Sequence, residues 1–329
     1  MLRVPFAELA STLAGILVRL GFEPDRAELS ARLFAETTRD GVYSHGVERF
    51  PRFLTMIRNG VVDVHATPVR IQASGAIERW NGQRGPGNLN AWNSMARAIE
   101  LSREHGIGCV ALANTNHWMR GGTYGWQAAE AGCIGLCWTN TLANLPPWGA
   151  SKPALGNNPL ILAVPRPDGP VILDTAMSQF SYGALASFRQ RGRLLPVDGG
   201  FDTEGNLTRD PAAIEASQRP LPIGYWKGSG VAMLLDMIAA LLSGGMATHQ
   251  IPTEPLKETA LSQVFLAIDL TAVSSRERSA EIADAIVESV VRSGENVRYP
   301  GQQVLTIRAE NLMQGIPVRD ELWDELLRF

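Results

Sequence analysis

Four short runs, 109–113, 134–139, 160–164 and 171–174, are apolar almost throughout, and no other feature of the sequence limits its folding as strongly. A strand with one wet face alternates apolar and polar residues, whereas a strand covered on both faces reads as a continuous apolar run. The runs therefore predict a central sheet covered by helices. Val69, Ile71 and Ala73 alternate, Ser74-Gly75 makes a turn and 77–80 returns, which predicts a hairpin, and 264–270 adds a further strand.

The first sixty residues have the other period. Leu9, Leu13, Ile16, Leu17 and Leu20 recur at helical spacing, with Gly21 as a stop. Asp25 caps a second predicted helix that carries Leu29, Leu33 and Phe34 towards Gly41. A third starts near Val47 and Pro51 and turns Phe50, Phe53, Leu54 and Ile57 inward. Helices are also predicted over 90–105, 230–242 and 276–293. The polar, Gly-rich segment 191–219 reads as a long functional loop with little structure of its own.

With 329 residues, 45% hydrophobic and 19% charged, the chain reads as soluble and globular. A net charge of −3 without a basic patch argues against nucleic acid as a partner. The stretch 230–247 is broken by Asp236, Ser243 and three glycines and falls short of the ~20 residues a membrane span needs. Glu8 and Arg19 interrupt the apolar amino terminus, so no export signal is expected. Cys109, Cys133 and Cys137 are too few for a disulfide framework and read as core thiols in a reducing compartment. His65, His105 and His249 have no ligand-spaced partners and are expected at the surface, with no metal site.

Three polar clusters stand out. His45 follows Tyr43 and Ser44 in a glycine-flanked loop, with Arg49 four residues on. An imidazole can hand a proton to a developing alkoxide and a guanidinium can hold a carboxylate in a fork, the two tasks in reducing a 2-oxo acid. The plain alternative is a surface histidine beside a structural ion pair. Asn114, Asn116, His117, Trp118, Arg120, Gly121, Gly122, Thr123 and Tyr124 form a second cluster directly after a predicted strand, where α/β proteins place ligand-binding groups. Trp226, Lys227, Gly228, Ser229 and Gly230 lead into a helix, whose amino end suits a phosphate, although a glycine-started helix is common without any ligand. The pattern lacks the dinucleotide fingerprint, since Met233 stands at its sixth position and Asn90 at that of the Gly85-Pro86-Gly87 segment. Asp174 to Ser178 and Gly301 to Gln303 are further polar groups at strand ends.

The ordered set Ser44-His45-Gly46 with Arg49, NHWMRGGTYGWQAAE from Asn116, Pro146 to Gly149, Asn158-Pro159, Asp174, LLPVDGGFDTEGNLT from Leu194 and GYWKGSG from Gly224 resembles the malate/L-lactate dehydrogenase family, the second, non-Rossmann type. The resemblance implies a mixed, largely antiparallel central sheet flanked by helices, an α/β fold with a helical amino-terminal domain. It also implies NADH- or NADPH-dependent reduction of a 2-oxo acid by a cytoplasmic homodimer. His45 would be the proton donor, with Asp174 orienting it or binding cofactor, and Ser44, Arg49, His117 and Arg120 would lie on the substrate side. The cofactor would meet Pro170, Val171, Ile172, Leu173, Asp174, Thr175 and Ala176, then Trp226, Lys227 and Gly228, then Gly301, Gln302 and Gln303. Near relatives are expected to carry Gly-His-Glu at 301–303, so the missing acid bears on the choice of NADH over NADPH. The regions follow as helical (1–67), sheet and cofactor (68–190), loop and helices completing the cleft (191–254), and a strand and helices returning to the sheet (255–329). Malate, lactate, ureidoglycolate and cyclic imino acid enzymes share this scaffold, and a catalytically silent nucleotide-binding protein is the reading from another class.

Overall fold

The computed structural model describes all 329 residues. A short strand β1 (Leu2–Val4) precedes α1 (Phe6–Arg19), α2 (Pro24–Arg39), two 3-10 turns (Tyr43–His45 and Val47–Arg49) and α3 (Phe50–Arg58). Pro24 at the first helical position starts α2 with its fixed φ, so Glu23 takes the cap position expected for Asp25, which instead adds negative charge to the first turn. Leu9, Leu13, Ile16 and Leu17 of α1 pack on Ala27, Ala31 and Phe34 of α2, and Phe34 meets the edge of Phe50 at 5.0 Å.

Next come β2 (Val69–Ser74), β3 (Ile77–Asn81), α4 (Gly87–His105), β4 (Ile107–Thr115), α5 (Gly122–Glu130), β5 (Cys133–Thr139), β6 (Leu160–Val164) and β7 (Val171–Thr175). The segment 176–260 holds α6 (Tyr182–Gln190), β8 (Gly200–Phe201), β9 (Leu207–Thr208), α7 (Pro211–Ser217) and α8 (Trp226–Ser243). The chain ends with β10 (Leu261–Asp269), α9 (Arg276–Val291), α10 (Gln302–Gln314), β11 (Ile316–Val318) and α11 (Asp320–Arg328).

Seven strands form the central sheet in the order β2-β3-β4-β10-β5-β6-β7. Only the β3–β4 pair is parallel, so the mixed, largely antiparallel sheet expected from the resemblance is present. Alternation sends Val110, Leu112 and Phe265 to the α4–α5 face and Ala111 and Val264 to the α8 face. Double coverage holds for β4 and β10, which are buried almost throughout. It fails at the β7 end. Leu162, Val164 and Leu173 remain exposed, because α5 covers one face there and no helix covers the other.

Two expectations are corrected. The segment 191–219 is not structureless: a two-strand hairpin and α7 pack with α6 around a small core of Leu185, Leu195 and Ile214. Its elements are too short to show a period, which is why the sequence pattern misses them. The region 255–329 divides: β10 enters the sheet, whereas β11 pairs with β1 and α11 buries Leu322, Trp323 and Leu326 in the amino-terminal core. In addition, α8 is long and apolar enough, by length and composition, to cross a bilayer. It nonetheless packs on the sheet, its Leu235 carbonyl accepting from Trp138 Nε1 at 3.0 Å, and its Asp236 carboxylate accepts from Asn140 and Thr248.

Because the carboxyl-terminal helix completes the amino-terminal core, Leu322→Ala is expected to destabilise the protein by about 2–5 kcal/mol. Urea unfolding checks this, and an unchanged midpoint would show that α11 contributes nothing to that core.

Candidate active site

The turn carrying His45 is pinned from below. Thr38 Oγ1, at the end of α2, donates to the Phe34 carbonyl at 2.7 Å and accepts from the Val47 N–H at 2.9 Å. His45 and Arg49 thus leave two tight 3-10 turns rather than a continuous helix. A second loop, following β4, brings His117 to 6.1 Å from His45 between ring centroids, with the rings inclined by 25°. His117 Nδ1 accepts from the Met119 N–H at 3.0 Å, so its proton lies on Nε2. Burial holds the His117 imidazole well below its ordinary pKa, and the positive charges of Arg49 and Arg52 act in the same direction.

His45 Nδ1 lies 3.1 Å from Ser44 Oγ. Burial pushes the His45 pKa down to about 4, Arg49 and Arg120 push the same way, and the Asp174 carboxylate opposes them. Arg49 is pushed down to about 10 by burial and by Arg52, against Glu258. Arg52 meets Glu258 at 3.8 Å and donates to the Pro255 carbonyl. Arg49 makes no salt bridge and no side-chain hydrogen bond, so its charge has no protein anion in contact.

Two cavities share Ser44, His45, His117, Thr141, Asn157 and Ser181. The larger, about 580 Å³, has a mostly polar lining that includes Arg49, Arg52, Tyr182 and Glu258. The smaller, about 380 Å³, is lined by Trp118, Met119, Ile172, Asp174, Gly301 and Val304. Alternation along β7 explains why Ile172, Asp174 and Ala176 line it and Val171, Leu173 and Thr175 do not, and Pro170, which precedes the strand, lies beyond the cavity. Gly301 arrives because the Pro300 carbonyl accepts from the Ile172 N–H at 3.1 Å. Gln302 turns back to accept from the Tyr299 N–H, and Gln303 is exposed.

Asp174 Oδ2 accepts from the Gly122 N–H at 2.8 Å and makes no hydrogen bond to His45, on which it acts through charge alone. Arg120 lines the smaller cavity, away from Arg49. Its Nη1 is held by Asp40 at 2.8 Å, and its buried Nε has no partner. Asp40 also binds Arg308 through both oxygens at 2.8 Å and Arg39 at 2.9 Å. Burial opposes its ionisation, but the hydrogen bond from Arg308, the charge of Arg120 and the hydrogen bond from Arg39 outweigh that and hold the carboxyl below its ordinary range. Trp226, Lys227 and Gly228 line neither cavity. Gly228 has a packing reason: a Cβ there would stand 2.4 Å from the Ile223 carbonyl oxygen.

The sequence pattern misses Arg52, Thr141, Tyr182, Arg189, Glu215, Gln218 and Glu258 in the larger cavity. The one available signal is Arg52 itself, one turn after Arg49. Cys109, Cys133 and Cys137 are free and buried, and His65, His105 and His249 are exposed.

Residues 4–327 match the family model described as malate/L-lactate dehydrogenase. The chain is 48% identical to a 2,3-diketo-L-gulonate reductase of Escherichia coli O6:K15:H31 (strain 536), over 99% of each chain. The solved Δ1-piperideine-2-carboxylate reductase of Pseudomonas syringae pvar. tomato superposes with a TM-score of 0.90 at 28% identity, covering 100% of this chain and 99% of that one. A malate dehydrogenase of Pyrococcus horikoshii OT3 gives a TM-score of 0.89 at 26% identity, covering 99% and 94%.

The Asp40 cluster yields a test independent of chemistry. Asp40→Asn leaves Arg120 and Arg308 enclosed without a counter-charge, and a loss of about 3–5 kcal/mol is expected in urea unfolding. A loss below about 1 kcal/mol, the range of an exposed pair, would refute the structural role.

Proposed function

The chain belongs to the malate/L-lactate dehydrogenase family, and from that premise we propose that it is an NADH-dependent reductase of a 2-oxo acid, with 2,3-diketo-L-gulonate as substrate. It is an oxidoreductase acting on CH–OH groups with a nicotinamide cofactor. The observation that carries the reading is Arg49, a largely enclosed guanidinium with no protein anion, next to His45 where two cavities meet.

The smaller cavity fits the nicotinamide, against Ile172, Asp174 and Gly301, and the buried, unpartnered Arg120 Nε is a donor left for a bound group there. When bound, that cofactor supplies the hydride. The larger cavity takes the 2-oxo acid. Arg49 grips its carboxylate in a charge-assisted fork, a pairing that also offsets the charge that holds the His45 pKa down. With Nδ1 engaged by Ser44, His45 presents Nε2 to the carbonyl oxygen and gives it a proton as the oxygen becomes an alkoxide. Asp174 assists by charge. The polar lining favours a polyhydroxylated acid over an apolar cyclic imine. Pro170, Val171, Leu173 and Thr175, with Gln302 and Gln303, would carry the cofactor beyond its nicotinamide, and Trp226, Lys227 and Gly228 its phosphates. The exposed apolar residues Leu234, Ile238 and Leu241 of α8, with Leu162, Val164 and Leu173 on the same face of the sheet, support a homodimer that covers them, and we assign that dimer to the cytoplasm.

Oxidation of NADH and NADPH followed against 2,3-diketo-L-gulonate, pyruvate, oxaloacetate and a cyclic imine tests the assignment, with NADH and diketogulonate expected as the preferred pair. His45→Ala is expected to keep cofactor binding and to lose turnover by about 10²–10⁴-fold. Normal turnover in that variant would remove His45 as the acid.

The pH dependence has a definite sign. Reduction needs protonated His45, whose pKa burial and the charges of Arg49 and Arg120 hold down to about 4 in the absence of cofactor and substrate. kcat/KM for reduction should therefore fall as the pH rises through the His45 pKa, by about tenfold per unit above it. A kcat/KM that stays level from pH 5 to pH 9 would contradict the assignment.

A further inference from the structure

The larger cavity has two walls that carry charged side chains, set beside an uncharged one from the 141–157 loop. One is the 42–49 turn with Arg49, Arg52 and Glu258. The other is the α6–α7 segment, which contributes Tyr182, Arg189, Glu215 and Gln218. That segment docks directly on Ser44, since a Cβ at Gly183 would lie 3.0 Å from Ser44 Oγ. From there α6 runs about 10 Å to Arg189.

Charge separates the two walls. Glu258 lies at 3.8 Å from Arg52 and also acts on Arg49, so two arginines share one glutamate and a single positive charge is left over. On the second wall Arg189 Nε meets Glu215 at 3.0 Å, which closes the account there. An uncompensated guanidinium calls for a carboxylate. A guanidinium already balanced by a glutamate offers both donors and acceptors without net charge, which suits hydroxyl groups. Gln218 adds a neutral carboxamide with no side-chain hydrogen bond of its own. It ends α7 at φ +56, a left-handed conformation that glycine adopts freely and glutamine does not.

We propose that Arg189, Glu215 and Gln218 form a subsite for the hydroxylated tail of a monocarboxylic 2-oxo acid, that Gln218 determines specificity there, and that dicarboxylic acids are disfavoured. The proposal rests on the 2-oxo acid reductase reading. It goes further in naming the residues that select among such acids and the charge balance by which they do so.

The experiment is steady-state reduction of 2,3-diketo-L-gulonate, pyruvate and oxaloacetate by the full-length protein and two variants. Gln218→Gly removes the carboxamide at a turn that glycine holds without strain. It is expected to lower the kcat/KM ratio of diketogulonate over pyruvate by about tenfold, mainly through KM. Glu215→Gln breaks a partly exposed ion pair, keeps the side chain's shape and leaves Arg189 unbalanced, so it is expected to raise kcat/KM for oxaloacetate relative to pyruvate. An unchanged diketogulonate-to-pyruvate ratio in Gln218→Gly, or no relative gain on oxaloacetate in Glu215→Gln, would overturn the subsite while the reductase reading stands. An unmodified protein that reduces none of the three acids would overturn both.

Discussion

Asp40 joins three segments that are far apart in the sequence. It ends α2, and its two oxygens hold Arg39 beside it, Arg120 in the loop after β4 and Arg308 in α10. A carboxylate with little solvent access is stable only because three guanidinium groups surround it, and each of those is held in turn by the carboxylate. The positions of His117, just before Arg120, and of Gly301, just before α10, both depend on this contact. The amino-terminal helices, the loop that follows β4 and α10 are thus registered against one another at the point where the two cavities meet. Arg308 also lies over the Trp126 ring at 4.1 Å, which extends the same registration to α5.

The parts of this architecture that could be read from the sequence are those with a long period or an unbroken apolar run. Leu9 to Leu20 announces α1, and the runs at 109–113 and 134–139 announce β4 and β5. Elements built from few residues left no period to detect. β1 and β11 have three residues each and exist because they pair with one another across the length of the chain. The small core of Leu185, Leu195 and Ile214 draws its members from two short helices and the loop between α6 and β8.

The candidate site divides along similar lines. His45, Arg49 and His117 were legible because reactive side chains in glycine-flanked loops are conspicuous and because the ordered motifs resemble a known family. Glu258 and Gln218 were not, since only the fold brings them to the cavity, and neither sits in a distinctive local pattern. Arg120 shows a different limit. Its presence near the site could be read, but its tie to Asp40 is a contact between distant segments, and spacing carries no trace of it.

The β1–β11 pairing also governs the order in which the chain can mature. Leu2 faces Val318 and Val4 faces Ile316, so the interior around Leu9 and Leu13 lacks one wall until the segment beyond residue 316 has left the ribosome. The first helices to be made are then among the last to gain their full packing, and their apolar faces wait exposed while the sheet assembles. A nascent chain of this protein should therefore lean on chaperones at its amino-terminal end from early in synthesis until its close.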